Sequence, residues 1–118
     1  MRLSIRYAMT YPDRAENPAE PLDLLSCPPL TFAPPDRDAF PCLRLAEAAA
    51  AQGGTACAVL NGANEEAVGL FLADRIGFHD IPRLVAEARA VVAVQQDPAL
   101  EDILAADQAA RQAVLDRA

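Results

Sequence analysis

The chain has 118 residues, a formal net charge of −7 at neutral pH and 53% hydrophobic residues. This length suits one domain with a sizeable core, and the hydrophobic content excludes an intrinsically disordered chain. The negative charge argues against nucleic acid as the main partner, because phosphate groups are bound by basic surfaces.

The cysteine spacing does not indicate a metal or redox site. Cys27, Cys42 and Cys57 are too far apart in sequence for a zinc or Cys-x-x-Cys motif, and the chain has one histidine. Free thiols favour a reducing compartment. The start MRLSIRYAM lacks the apolar core of a signal peptide, and no segment is apolar enough to span a membrane. We therefore expect a cytoplasmic protein without membrane contact.

The first third of the chain, residues 1–38, is predicted to be a proline-rich connector. It holds seven of the ten prolines, which disfavour both helix interiors and strand ladders. Leu30–Ala33 is bounded by prolines and is predicted as one short β-strand. Residues 3–9 alternate apolar and polar side chains, a pattern that by its period also indicates a strand. Neither segment has an evident pairing partner in the chain.

Residues 39–118 are predicted to form a four-helix up-and-down bundle, so the fold class is mostly α. The predicted helices cover about Pro41–Gln52 and Thr55–Arg75, and two more begin after Asp80 and Asp97. Three of the four have a proline near an aspartate at the start, which is typical of a helix N-terminus. Asp38 is the predicted cap of the first helix. Short connections favour neighbouring antiparallel helices.

The second predicted helix contains CAVLNGANEEAVGLFL, which is apolar or small almost all round and is expected to be central in the bundle. Gly62 and Gly69 are expected to let a neighbouring backbone approach. Asn61 and Asn64 lie one turn apart on one side of this helix. Because a buried amide must be hydrogen-bonded, the pair is interpreted as a structural polar clamp that fixes the bundle or docks a neighbouring segment. The alternative is a polar pocket for a ligand.

No motif for catalysis is found. The chain has no glycine-rich phosphate loop, and His79 has no serine or cysteine nucleophile beside it in sequence. Asp107 precedes Arg111 by four residues, the spacing of a helix-stabilising pair or of an anchor to another element. The prediction is therefore that the chain carries no catalytic, cofactor-binding or metal-binding residue.

Several blocks of the sequence are specific to one enzyme family. LTFAPPDRDAFPCLRLAEAA, then GGTACAVLNGANEEAVGLFLADRIGFHDIPRLV, then LEDILAADQAAR resemble in order and spacing the carboxy-terminal part of 1-deoxy-D-xylulose 5-phosphate reductoisomerases. The start, MRLSIRYAMTYPDR followed by PLDL, also resembles the preceding segment of that family. The resemblance covers essentially the whole chain.

The resemblance implies a parent enzyme with three parts. An amino-terminal Rossmann domain binds NADPH, a central domain binds Mg or Mn and the substrate phosphate, and a helical bundle follows. The enzyme converts 1-deoxy-D-xylulose 5-phosphate to 2-C-methyl-D-erythritol 4-phosphate in the non-mevalonate route of isoprenoid biosynthesis, and it is usually a homodimer. The resemblance also implies that no cofactor is bound to this chain itself and that its partners are the NADPH-binding and central domains.

The resemblance carries over few individual residues. Met1 matches a methionine near the substrate pocket, although Ser4 replaces the proline of that motif. Residues 4–10 would form a short helix in place of the strand that their period indicates. The expected role of the chain is structural support of the catalytic domain, without activity of its own. The alternative is a stand-alone helical interaction module.

Overall fold

A computed structural model describes residues 2–16 and 20–118, with nothing stated for the side chain of Arg2. Within these residues there are five helices and no strand, so the predicted mostly α class is confirmed. The helices are α1 (Arg2–Thr10), α2 (Pro41–Gln52), α3 (Ala56–Leu72), α4 (Asp80–Val91) and α5 (Leu100–Leu115). The chain divides into two compact units, Met1–Pro34 and Pro35–Ala118.

The first unit has α1 as its regular element. The helix implied by the resemblance is confirmed, and the strand that the alternating pattern indicated is wrong. The strand predicted at Leu30–Ala33 is also not found. These residues have no regular secondary structure, and Leu30 and Phe32 are 81% and 91% exposed. Both corrections have the same physical reason, since a strand needs a pairing partner and these residues offer none.

The second unit begins with a turn that leads into α2. The predicted cap, Asp38, is wrong. The carboxylate of Asp36 accepts the backbone N–H groups of Asp38 and Ala39 at 3.1 and 2.9 Å, so the turn precedes the helix. Phe40 occupies the cap position, with Pro41 in the first turn of the helix. Because Gly53 has a φ of 72°, the chain ends α2 there without the strain that a side chain would bring.

Helix α3 has the predicted central position, since it packs against α2, α4 and α5. Gly62 is needed for the contact with α5. A Cβ atom at this position would lie 2.7 Å from both the backbone oxygen and Oδ1 of Asp107. The same prediction for Gly69 is wrong, because a Cβ atom there would meet nothing within 4 Å.

The core lies among α3, α4 and α5, with α2 along its edge. Its residues are small or branched aliphatics on the inward faces of the helices. They include Val59, Ala63, Ala67, Leu70, Ile81, Leu84, Val85, Ala88, Ala106, Ala110, Ala113 and Val114. The many alanines let the helix backbones approach, so the core is held by close packing of small residues.

Two loops at one end of the second unit are joined by hydrogen bonds. Thr55 donates its backbone N–H to the carbonyl oxygen of Gln95, and its hydroxyl accepts the N–H of Gln95, each at 3.0 Å. Gly54 lies directly against the same carbonyl oxygen, which leaves no room for a side chain. Thr55 is 1% exposed, so these hydrogen bonds keep a buried polar residue satisfied.

Candidate functional site

One concave surface of the second unit is a groove beside α2. Two cavities of about 200 Å³ each form it, and they share Cys42 and Asn64. One end lies at the start of α2 and α4, and its lining consists of Ala39, Phe40, Pro41, Cys42, Asn64, Val68, Phe78, His79, Ile81 and Pro82. The other end lies between α2 and α3 and is lined by Cys42, Ala46, Leu60, Asn61, Asn64 and Val85. We call these two cavities together the α2–α3 groove.

The two asparagines of the predicted clamp both line this groove. Asn61 is exposed and Asn64 is half-buried. Neither amide makes a hydrogen bond within residues 2–16 and 20–118, and no buried side-chain nitrogen or oxygen of these residues lacks a partner. Each amide therefore offers one acceptor and two donors to a molecule that enters the groove.

Cys42 and His79 line the same end of the groove, but the structure does not make them a catalytic pair. The thiol makes no hydrogen bond to the imidazole among the described residues, and burial raises the pKa of Cys42. A thiol with a raised pKa is less often the reactive thiolate. The ring of His79 packs edge-on against Phe78, with 5.7 Å between the ring centres. With no reactive thiol, this end of the groove is suited to binding and not to catalysis.

The second candidate pair, Asp107 and Arg111, joins two helices. Arg111 donates from Nε to Oδ2 of Asp107 at 2.8 Å, and its Nη1 lies 4.0 Å from Oε2 of Glu66 on α3. The hydrogen bond to Asp107 raises the pKa of Arg111 above its usual value. The pair lies where Gly62 brings α3 against α5. It therefore anchors α5 to α3, which is one of the two roles that its sequence spacing indicated.

The remaining site predictions concern metals and the substrate pocket. Among the described residues, no three His, Cys, Asp or Glu side chains lie together as they would to hold a metal ion. Met1, the one residue predicted near the substrate pocket, lies outside the described residues. Of the helices that the structure describes, none is long and apolar enough to cross a membrane.

Two aromatic residues of the groove were not singled out by the sequence analysis. Phe40 and Phe78 line its end at the start of α2 and α4 and are 61% and 53% exposed. Each comes just before a helix, in FPCL and in GFHDIP. An aromatic residue just before a helix start is a weak signal of a functional site, because such a residue serves equally well as a hydrophobic staple that packs against its own helix.

A family model described as the DXP reductoisomerase C-terminal domain matches residues 1–113 of the chain. The chain is 49% identical over 114 residues to the 1-deoxy-D-xylulose 5-phosphate reductoisomerase of Acetivibrio thermocellus, covering 97% of this chain and 30% of that protein. It is 51% identical over 117 residues to the enzyme of the same name from a Cyanothece species, covering 98% of this chain and 30% of that protein.

Solved structures give the same result. The reductoisomerase of Zymomonas mobilis in complex with NADPH superimposes with a TM-score of 0.87 at 37% identity, over 98% of this chain and 31% of that one. A reductoisomerase in complex with NADPH, fosmidomycin and magnesium gives a TM-score of 0.80 at 36% identity, over 98% of this chain and 30% of that one. The chain therefore spans about three tenths of the length of these relatives.

Proposed function

The chain belongs to the family of DXP reductoisomerase C-terminal domains, and from this we propose that it is the structural helical part of a 1-deoxy-D-xylulose 5-phosphate reductoisomerase. In this role it supports the catalytic part of the enzyme, which converts 1-deoxy-D-xylulose 5-phosphate to 2-C-methyl-D-erythritol 4-phosphate with NADPH. One observation carries the proposal. The similarity covers nearly all of this chain at about half identity, yet only 30% of each relative.

The residues present do not fit the cofactors named for the relatives. Structures of the relatives hold NADPH and magnesium. The described part of this chain has no cluster of metal-binding side chains, and its sequence has no glycine-rich phosphate loop. We propose that NADPH and the divalent metal bind to the other parts of a reductoisomerase and that this chain by itself does not catalyse the reaction.

The partners of the chain are the NADPH-binding and central catalytic parts of the enzyme. Residues 1–38 would be the connector from the central part, and residues 39–118 would be the supporting bundle. We also propose that the assembled enzyme is a homodimer whose contacts lie in the central part. These partners explain why so many large apolar side chains are exposed here, including Leu25 at 98%, Met9 at 83% and Leu24 at 75%.

A chimeric enzyme tests the proposed function. The region of the Zymomonas mobilis reductoisomerase that matches this chain would be replaced by residues 1–118. Substrate-dependent NADPH oxidation would then be measured with Mg²⁺ present. We expect turnover within about tenfold of the unaltered enzyme, since a supporting domain that keeps the fold leaves the reacting groups in place.

Two controls accompany the chimera. The Zymomonas mobilis enzyme with the region deleted, and this chain alone, should both show no turnover. A folded chimera without activity would point to an independent interaction module. Turnover by this chain alone would overturn the assignment of chemistry to the other parts of the enzyme.

A further inference from the structure

We propose that the α2–α3 groove is the docking site for an extended, uncharged apolar segment of the catalytic part of a reductoisomerase. In this arrangement Asn61 and Asn64 hold the backbone of that segment. The inference rests on the proposed function and identifies where on the bundle the catalytic part docks.

The size of the groove favours a peptide over a cofactor. Sites for small molecules usually enclose about 300–1,000 Å³ in one cavity. Here the space is divided between two separate cavities of about 200 Å³ each, which share Cys42 and Asn64 and are each smaller than such a site. Two small cavities in a row suit successive side chains of an extended segment, which lie on one face at every second residue.

The chemistry of the groove selects an uncharged apolar occupant. Its lining has no Asp, Glu, Lys or Arg, although the chain as a whole has a net charge of −7. Phe40 and Phe78 expose large apolar surfaces at the end of the groove near the start of α2 and α4. Such a surface gains by covering apolar side chains and gives no reason for a charged partner.

The two amides favour an occupant that brings a peptide backbone. Once covered, each amide must have hydrogen-bond partners or it destabilises the complex. Among the described residues nothing in this chain supplies them. A peptide group offers one donor and one acceptor, which together match the acceptor and donors of an asparagine side chain.

The covalent connection favours the catalytic part of the enzyme as the occupant. The match is to a C-terminal domain, so in the relatives the remaining seven tenths of the protein precede the matched region. That remainder is connected to α2 through residues 1–40. A partner on the same chain has a raised effective concentration at the groove, whose lining includes the residues at the start of α2.

Thiol labelling tests the inference directly, because Cys42 lines both cavities and Cys57 is exposed and lines neither. The labelling rate of each thiol with N-ethylmaleimide would be followed by peptide mass spectrometry in this chain alone and in the Zymomonas mobilis chimera. We expect Cys42 to react at least about tenfold more slowly in the chimera, since a docked segment must leave before the thiol is reached. Cys57 should keep its rate.

Variants then test the role of the amides. In the chimera, the double variant with Asn61→Ala and Asn64→Ala should raise the labelling rate of Cys42 by about tenfold, because two hydrogen bonds to the docked segment are lost. Gln108→Ala, at an exposed position of α5, is the matched control and should change nothing. In the isolated chain the double variant should have a urea midpoint at or above that of wild type, because alanine favours the helix more than asparagine does. The loss of a clamp within the bundle would lower the midpoint.

The possible results separate the two proposals. An active chimera in which Cys42 reacts at the same rate as in the isolated chain, or slows only as much as Cys57, overturns the groove inference and leaves the proposed function standing. An inactive chimera with an unprotected Cys42 overturns both. Slower labelling of Cys42 alone, reversed by the asparagine variants, supports the groove as the docking site.

Discussion

At the scale of single residues, the close contact between α3 and α5 depends on the absence of one side chain. A Cβ atom at Gly62 would approach the backbone oxygen of Asp107, and a backbone atom cannot move aside without shifting its helix. The neighbouring pair of Asp107 and Arg111 would move with it. Gly69, in the same helix, has open space where its side chain would be.

The two glycines make a matched pair of variants. Gly62→Ala should destabilise the chain by about 1–3 kcal/mol through overpacking. Gly69→Ala should stabilise it by up to about 1 kcal/mol, since alanine loses less conformational freedom in a helix. Urea unfolding followed by circular dichroism gives both values. Equal shifts of the two midpoints would mean that the contact at Gly62 does not matter.

The sequence predicted the helix boundaries correctly at residues whose own backbone preference sets the boundary. Pro41 and Gly53 bound α2 as predicted, because proline and glycine act through their own backbone preferences. The prediction was wrong for Asp38 and Gly69. Which aspartate caps a turn depends on the path of the loop, and which glycine faces a neighbour depends on how the helices are rotated. Neither is encoded in a local pattern.

At the scale of elements, α4 is held in the core by four buried side chains, of which Leu84 is the largest that is fully buried. Leu84 is 0% exposed and belongs to the core among α3, α4 and α5. Leu84→Ala should therefore lower the free energy of unfolding by about 2–5 kcal/mol. Leu72→Ala, at a position that is 75% exposed, is the control and should stay within about 0.5 kcal/mol of wild type. Similar losses for both variants would contradict the assignment of the core.

Asp80, at the start of α4, should make the stability of the protein depend on pH. Hydrogen bonds from the backbone N–H of Gly77 and from Arg83 lower the pKa of Asp80. A carboxyl whose pKa is lowered by folding stabilises the protein above its unfolded pKa, and that contribution is lost as the pH falls through the lower folded value. The wild type should therefore exceed Asp80→Asn in stability at neutral pH, and the difference should shrink below about pH 4.

Urea midpoints between neutral and acidic pH measure this difference. Asp97→Asn is the control, since the carboxylate of Asp97 is exposed and makes no hydrogen bond within the part of the chain that the structure describes. A difference between wild type and Asp80→Asn that stays constant down to low pH would contradict the role given to the Asp80 carboxylate.

Helix α1 shows why the period of the apolar residues alone does not distinguish a strand from a helix in a short element. Leu3, Ile5, Tyr7 and Met9 alternate along the sequence, and on a helix such residues are distributed around its circumference. All four are between 39% and 83% exposed in this chain. A helix that is apolar on several sides is normally covered on several sides. The family resemblance predicted this helix because it does not depend on the period of the apolar residues.

At the scale of the whole molecule, the sequence predicted the mostly α class and the order of the helices in the second unit. The up-and-down arrangement of those helices stays a prediction. The α2–α3 groove was beyond prediction, because it brings together residues of α2, α3 and α4 that are far apart in sequence. The asparagine pair was visible in the sequence, whereas its lack of partners within the described residues could be seen only in the structure.

We propose that this chain supplies a supporting part that a reductoisomerase needs and that the catalytic residues lie in the other parts of the enzyme. The most direct measurement adds the chain in trans to a Zymomonas mobilis reductoisomerase from which the matching region has been removed, and follows substrate-dependent NADPH oxidation. We expect turnover that rises and saturates with added chain, and none from either part alone. No turnover from the mixture, with both parts folded by circular dichroism, would contradict the claim.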